Sequence, residues 1–219
     1  MPSYAPVVTL AATALLVLSL TGCASADWNA PRPSTTPLGT PAAGFLPDLE
    51  PSPEATVNPA AGSWNDVRPA PGYRVVLLTS GDDVTTQALS TAVEEWAEES
   101  DVDLRHVEAG SDPIPGIVDA MEMNPELIVT AGEDLIDALA TVTPNHLDVP
   151  FLVLGAELAE PTYNVTSVDW SGAGFRGEGL GTATYFDESS FSPERCADAI
   201  RAGAAAVLMG ATGIVLWIE

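Results

Sequence analysis

Lysine is absent from the 219 residues, and every basic side chain is an arginine. That absence excludes a P-loop, a Schiff-base amine and a Ser/Lys dyad, each of which depends on an ε-amino group. Cysteine is nearly absent too. Cys23 closes the N-terminal apolar run, which leaves Cys196 alone and excludes an internal disulfide. Within a helix-like, Ala-rich stretch, Cys196 reads as a small buried hydrophobe rather than a reactive thiol. Histidine is as scarce. His106 ends a strand-like run and His146 lies in a loop, neither with a second His or Cys at ligand spacing, so no metal site is expected. Basic charge is short overall: the formal net charge is −24, and no charged side chain precedes Asp27. A surface this acidic repels nucleic acid and anionic headgroups. Enzyme signatures are also missing. Trp170-Ser171-Gly172 is no nucleophile elbow, because Asp169 stands where glycine is required. Gly172, Gly174 and Gly177 match G-x-G-x-x-G in spacing, but no helical apolar run follows. With no nucleophile–base pair in view, the expectation is a binding protein without cofactor, not an enzyme.

What is present begins with residues 11–23, AATALLVLSLTGC. The run is uncharged and too short to span a bilayer, as a signal-peptide core should be. Its end, Leu20-Thr21-Gly22-Cys23, resembles the lipobox of bacterial lipoprotein precursors. That resemblance implies cleavage before Cys23, lipidation of Cys23, and anchoring on the extracytoplasmic face of the cell membrane. The first eight residues lack the usual positive charge, and Ala24-Ser25-Ala26 offers an ordinary A-x-A cleavage site, so simple export is the alternative. Residues 24–72 follow with prolines every few positions and no hydrophobic periodicity. Such a segment reads as a disordered, partly extended tether, with Trp28, Phe45 and Trp64 as aromatics available to dock.

From Tyr73 the pattern changes, and residues 73–219 read as one folded domain. Apolar runs at 73–79, 102–107, 126–131, 150–155, 164–170 and 213–219 predict strands. Between them lie helical patterns. The first carries Ala88, Leu89, Ala92, Val93, Trp96 and Ala97 on one face. A second is expected to turn Ile117, Val118 and Met121 inward; a third spans 133–142. A last helix over 193–208 has Ser192 as N-cap and Pro193 at its first position. The fold class expected is α/β: a single Rossmann-like, three-layer domain with a mostly parallel sheet of five to six strands. The uncharged stretch 202–218 admits a membrane tail as an alternative, although Gly210 and Gly213 divide it into a helix end and a strand.

Ligands of open parallel sheets bind outside the strands' carboxyl ends. Here those exits join glycine to acid: Gly81-Asp82-Asp83, Glu108-Ala109-Gly110, Gly132-Glu133-Asp134, Gly155-Ala156-Glu157, and Asp169 before Trp170-Ser171-Gly172. Glycine admits a ligand close to the backbone, and carboxylates accept from hydroxyls, amides or cations. The candidate ligand-binding residues are Asp82, Asp83, Gly132 and Glu133, with Gln87, Glu157 and Asp169 behind them. A polyol, nucleoside or cation suits them better than a phosphate. Helix capping and turn chemistry account for the same residue types and remain the competing reading.

In order and spacing, these pieces resemble the basic-membrane-protein family of substrate-binding lipoproteins. The likeness runs over 73–183: the first strand into Gly81-Asp82-Asp83, then Pro125-Glu126-Leu127-Ile128-Val129-Thr130-Ala131-Gly132, then Val149-Pro150-Phe151-Leu152-Val153-Leu154, then Asn164-Val165-Thr166-Ser167-Val168 leading to Phe175–Gly181. The resemblance implies a periplasmic-binding-protein-like lobe serving a nucleoside-type ABC importer or a sensor, and so a small polar solute and a permease as partners. Three departures bear on that. Thr86 and Gln87 stand where the family has a Phe-Asn pair, which removes a stacking platform worth roughly 1–3 kcal/mol per base. Gly155-Ala156 replaces the acid expected after the fourth strand, with Glu157 two residues on. The family has two lobes, and the residues here suffice for one, so either a second protein chain completes the cleft or the cleft is vestigial. The alternative function is therefore an envelope lipoprotein that binds another protein.

Overall fold

The computed structural model describes residues 1, 27–30, 35–174 and 186–219. The signal segment with Cys23, and Phe175–Gly181 of the family resemblance, lie outside the described residues. Seven strands form one sheet: β1 (Thr56–Val57), β2 (Arg74–Ser80), β3 (Asp103–Ala109), β4 (Leu127–Ala131), β5 (Phe151–Leu154), β6 (Val165–Asp169) and β7 (Val215–Trp217). Their order is β1-β7-β6-β5-β4-β2-β3, and every pairing is parallel. Among the described residues four α-helices connect most of them: α1 (Val84–Glu99), α2 (Pro113–Glu122), α3 (Ile136–Val142) and α4 (Pro193–Leu208). The domain is thus single and α/β.

The central strands are apolar on both faces because both faces are covered. The period of two sends Val75, Leu77, Val129, Leu152, Leu154 and Val168 toward α1 and α4. Val76, Leu78, Ile128, Phe151 and Val153 point the other way, against Ile117 of α2 and Ile136 and Leu139 of α3. α4 comes close to the sheet through Gly203, where a Cβ would lie 2.5 Å from Leu152 Cδ1 and 2.8 Å from Val168 Cγ2. Ser192 caps α4 by accepting from the Arg195 N–H at 3.3 Å. The stretch 202–218 divides into the buried end of α4 and strand β7. No helix among the described residues is long and apolar enough to cross a membrane. Cys196 is fully buried in α4, and burial pushes its thiol up to about 11 against the opposing pull of Arg195.

Three expectations need correction. The sheet has seven strands rather than five to six, because Thr56 and Val57 pair with Val215 and Leu216 and add β1 at the edge. The tether is the larger correction. Its described residues lie on the domain: Phe45, Val57, Trp64 and Val67 are buried in the α1–α4 core, and Trp28 is buried on the opposite face. Leu38 and Arg68 exchange backbone hydrogen bonds at 2.8 and 2.9 Å, folding 38–68 into a strap. Proline-rich composition removed the periodic signal, but separate aromatics at long spacing still bury enough area to hold the strap, about 1.5–3 kcal/mol per large apolar side chain. Finally, α2 begins at Pro113 and turns Gly116, Ile117 and Ala120 inward, leaving Val118 37% exposed. The register follows from Gly116, whose missing Cβ would sit 2.9 Å from Ala109 Cβ and so lets α2 lie against β3.

Candidate functional site at the carboxyl ends of the strands

Because all strands are parallel, β2, β4, β5 and β6 discharge their loops at one end of the sheet. β2 is followed on one side by β3, and the chain then returns past β2 to place β4 on the other side. The strand order reverses there, so no connection crosses above β2 and β4 and a crevice is left open. Ser80, Asp83 and Thr85 from the β2 exit, Glu133 and Asp134 from the β4 exit, and Phe186 and Glu188 from the segment before α4 line it, around about 220 Å³.

Asp83 is the N-cap of α1. Its Oδ1 accepts from the Thr85 and Thr86 N–H groups at 2.9 and 3.0 Å and from Thr85 Oγ1 at 2.6 Å; its Oδ2 accepts from Thr86 Oγ1 at 2.6 Å. Burial works to raise its pKa, but these hydrogen bonds outweigh it and hold the carboxyl down at about 2. Asp83 is therefore committed first to the helix, and only its outer lone pairs face the crevice. The folded pKa lies below the ordinary 3.8, so this stabilisation is present above pH 3.8 and is lost as the pH falls toward 2. Asp83→Ala should cost about 1–2 kcal/mol at neutral pH, as N-cap losses do. In urea titrations, the gap from the wild type should close as the pH is lowered to 2.

Gly132 stands at φ 119°, a conformation open to glycine alone, and a Cβ there would lie 2.7 Å from the Ser80 carbonyl oxygen. It brings the β4 exit against the β2 exit and sets the width of the crevice. Glu133, next in the chain, has its pKa raised by burial and then by the charges of Asp83 and Asp134. Three carboxylates facing one another in a partly desolvated space favour a cation or a set of hydroxyl donors and oppose an anion. The far wall is aromatic. Phe186 packs 6.0 Å from Phe191, which meets Trp170 edge-on at 5.0 Å, and Trp170 Nε1 donates to Ser190 Oγ at 3.0 Å. Gly174 admits Glu133 and Phe186 to the same spot, since a Cβ there would be 2.6 Å from Glu133 Oε1 and 2.8 Å from Phe186 Cδ2.

The structure thus brings together Asp83, Gly132 and Glu133 of the expected residues. Asp82 and Gln87 line a neighbouring hollow of about 340 Å³ with Thr79, Glu94, His106 and Glu108. There Gln87 Nε2 donates to the Asp82 carbonyl at 2.5 Å, and Thr79 Oγ1 lies 2.9 Å from His106 Nε2. Glu157 and Asp169 are buried and line neither space; Asp169 Oδ1 accepts from the Trp170 N–H at 2.8 Å. Asp134 belonged to a marked strand exit but was not chosen as a candidate, and nothing in the sequence reading pointed to Ser80, Thr85, Phe186 or Glu188. The acids of Asp187-Glu188 between Phe186 and Phe191 were the available signal, but only tertiary folding carries them over the β4 exit. A larger cavity, about 480 Å³ among Trp64, Arg68, Trp96, Glu99 and Arg201, lies away from every strand exit. It borders the strap, and its Arg201–Glu99 pair at 2.8 Å is already satisfied, so the smaller crevice is the better candidate.

No family model matches the chain, and no curated protein matches it. Among solved structures it is similar to ABC transporter solute-binding proteins from Aeropyrum pernix K1, at 20% identity and a TM-score of 0.39 over 45% of this chain and 29% of that one. A solute-binding protein from Conexibacter woesei is similar at 16% identity and a TM-score of 0.37, over 45% of this chain and 35% of that one. The periplasmic ribose ABC transporter protein from the same organism gives 14% identity and a TM-score of 0.33, covering 68% of this chain and 54% of that one. The chain therefore spans about a third to about half of the length of these proteins. Overlaps this slight assign no residue a role.

Proposed function

We propose that this is an exported, lipid-anchored, non-enzymatic protein whose α/β domain recognises a small cationic or polyhydroxylated solute at the β2–β4 crevice. The observation that carries the reading is the placement of Asp83, Glu133, Asp134 and Glu188 around one cavity at the point where strand order reverses. The lipobox ending at Cys23 and the resemblance to basic-membrane-protein lipoproteins support anchoring and a place beside an importer or in a sensor. Phe186 supplies an apolar face against which a sugar ring or an alkylammonium stem packs. A cavity of about 220 Å³ is smaller than the roughly 300–1,000 Å³ of enclosed ligand sites, so a second wall is expected from another protein chain.

A second reading has its own observation. Val84 and Phe186 stand 62% and 45% exposed beside the crevice, which suits a seat for a protein partner with the solute cleft left vestigial. Thermal-shift measurements on residues 24–219 with amines, sugars, nucleosides and amino acids separate the two. Solute binding predicts a stabilisation by one class that weakens in Glu133→Gln. For a cation, the stabilisation should also weaken as the pH is lowered through the raised pKa of Glu133, because the protonated carboxyl no longer attracts it. No shift with any class at millimolar concentration leaves the protein-partner reading.

A further inference from the structure

The segment that follows the lipobox is clamped to the end of the sheet opposite the crevice. Trp28 is 3% exposed; its Nε1 donates to Asp103 Oδ2 at 2.7 Å and its ring lies 4.0 Å beneath the Arg105 guanidinium. Arg74 donates to the carbonyls of Trp28 at 2.7 Å and Asp27 at 3.2 Å. Asn124 Nδ2 reaches Asn29 Oδ1 at 3.4 Å, and Thr35 Oγ1 donates to Glu126 Oε1 at 3.0 Å. Arg74 opens β2, Asp103 opens β3 with Arg105 two residues on, and Glu126 directly precedes β4, so these contacts gather at the amino-terminal side of the strands.

Only residues 24–26 separate Cys23 from Asp27, and four residue steps reach at most about 14 Å whatever their conformation. Strand β2 carries the chain about 20 Å from the clamp to the crevice. A tether shorter than the domain it holds cannot run past that domain and turn the far end toward the membrane. We propose that the anchored protein keeps its amino-terminal strand ends against the bilayer and its β2–β4 crevice turned away from it. The crevice is then open to the extracytoplasmic space, to free solute and to any protein that reaches above the membrane surface. This rests on the lipid anchoring at Cys23 proposed above.

The test uses the full chain, processed in a bacterial host and reconstituted in phosphatidylcholine vesicles carrying a headgroup-attached quencher. Single Glu122→Cys and Glu188→Cys variants take a fluorophore at the amino-end side and at the crevice; buried Cys196 does not compete. Flotation reads anchoring separately. The expected result is that both variants float, that Cys23→Ser does not, and that quenching at 122 exceeds quenching at 188 by about twofold or more. Trp28→Ala, which frees a longer tether, should reduce that difference. If the protein floats and position 188 is quenched as strongly as 122, the orientation is overturned while anchoring stands. If Cys23→Ser floats as well as the wild type, anchoring fails and the orientation falls with it.

Discussion

Trp64→Ala should lower the unfolding free energy by about 3–5 kcal/mol, the cost of emptying a buried indole site. Trp64 is 3% exposed and packs with Phe45, Val57 and Val67 over the α1–α4 layer, so its loss removes the middle of the strap's contact with the domain. A flexible tether would give no change at all, which makes the urea midpoint of this variant decisive for the strap. Trp64→Phe supplies the control. The indole Nε1 is buried with no hydrogen-bond partner among the described residues, so removing that N–H relieves an unsatisfied donor and offsets part of the lost volume. A phenylalanine variant as unstable as the alanine variant would contradict this packing. A fragment beginning at residue 72 should be destabilised in the same way, since it lacks the strap altogether.

Gly132→Ala should cost about 1–3 kcal/mol for the backbone conformation alone, and more for the approach to the Ser80 carbonyl. At φ 119° no L side chain sits without strain, and the 2.7 Å approach is to backbone, which has no rotamer by which to yield. Relief requires the β4 exit to move off the β2 exit, which separates Glu133 and Asp134 from Ser80 and Asp83. Loss of stability and loss of any solute-induced thermal shift are therefore expected together. Gly110→Ala at the neighbouring β3 exit meets nothing within 4 Å and should stay close to the wild type in both measurements. Equal behaviour of the two variants would remove Gly132 from the account.

The strands and helices from Tyr73 onward were legible because burial on two faces leaves uninterrupted apolar runs, and burial on one face leaves a 3.6-residue period. Ser192 and Pro193 marked the start of α4 by local chemistry alone. The strap was legible only as separate aromatics, Trp28, Phe45 and Trp64, able to dock; together with Val57 and Val67 they are spaced too unevenly to form any period that would mark a folded segment. β1 was hidden for the same reason: two residues carry no pattern, and its pairing with Val215 and Leu216 spans most of the domain. At the site, glycine beside acid marked the strand exits. It did not distinguish a carboxylate spent on a helix cap, as at Asp83, from one facing the crevice, as at Glu133. Glu157 and Asp169 showed the same sequence signal and are buried. Phe186 and Glu188 reach the crevice only by the return of the chain before α4, which no local pattern records.

On the proposed function, solute binds at the β2–β4 crevice and not in the larger cavity beside the strap. It is tested most directly by amide chemical-shift mapping of ¹⁵N-labelled residues 24–219, titrated with whichever solute class stabilises the protein. Shifts are expected to concentrate at Ser80–Thr86, Gly132–Asp134 and Phe186–Glu188, saturating together and weakened in Glu133→Gln. Shifts concentrated instead at Trp64–Arg68, Trp96–Ser100 and Arg201 would contradict it.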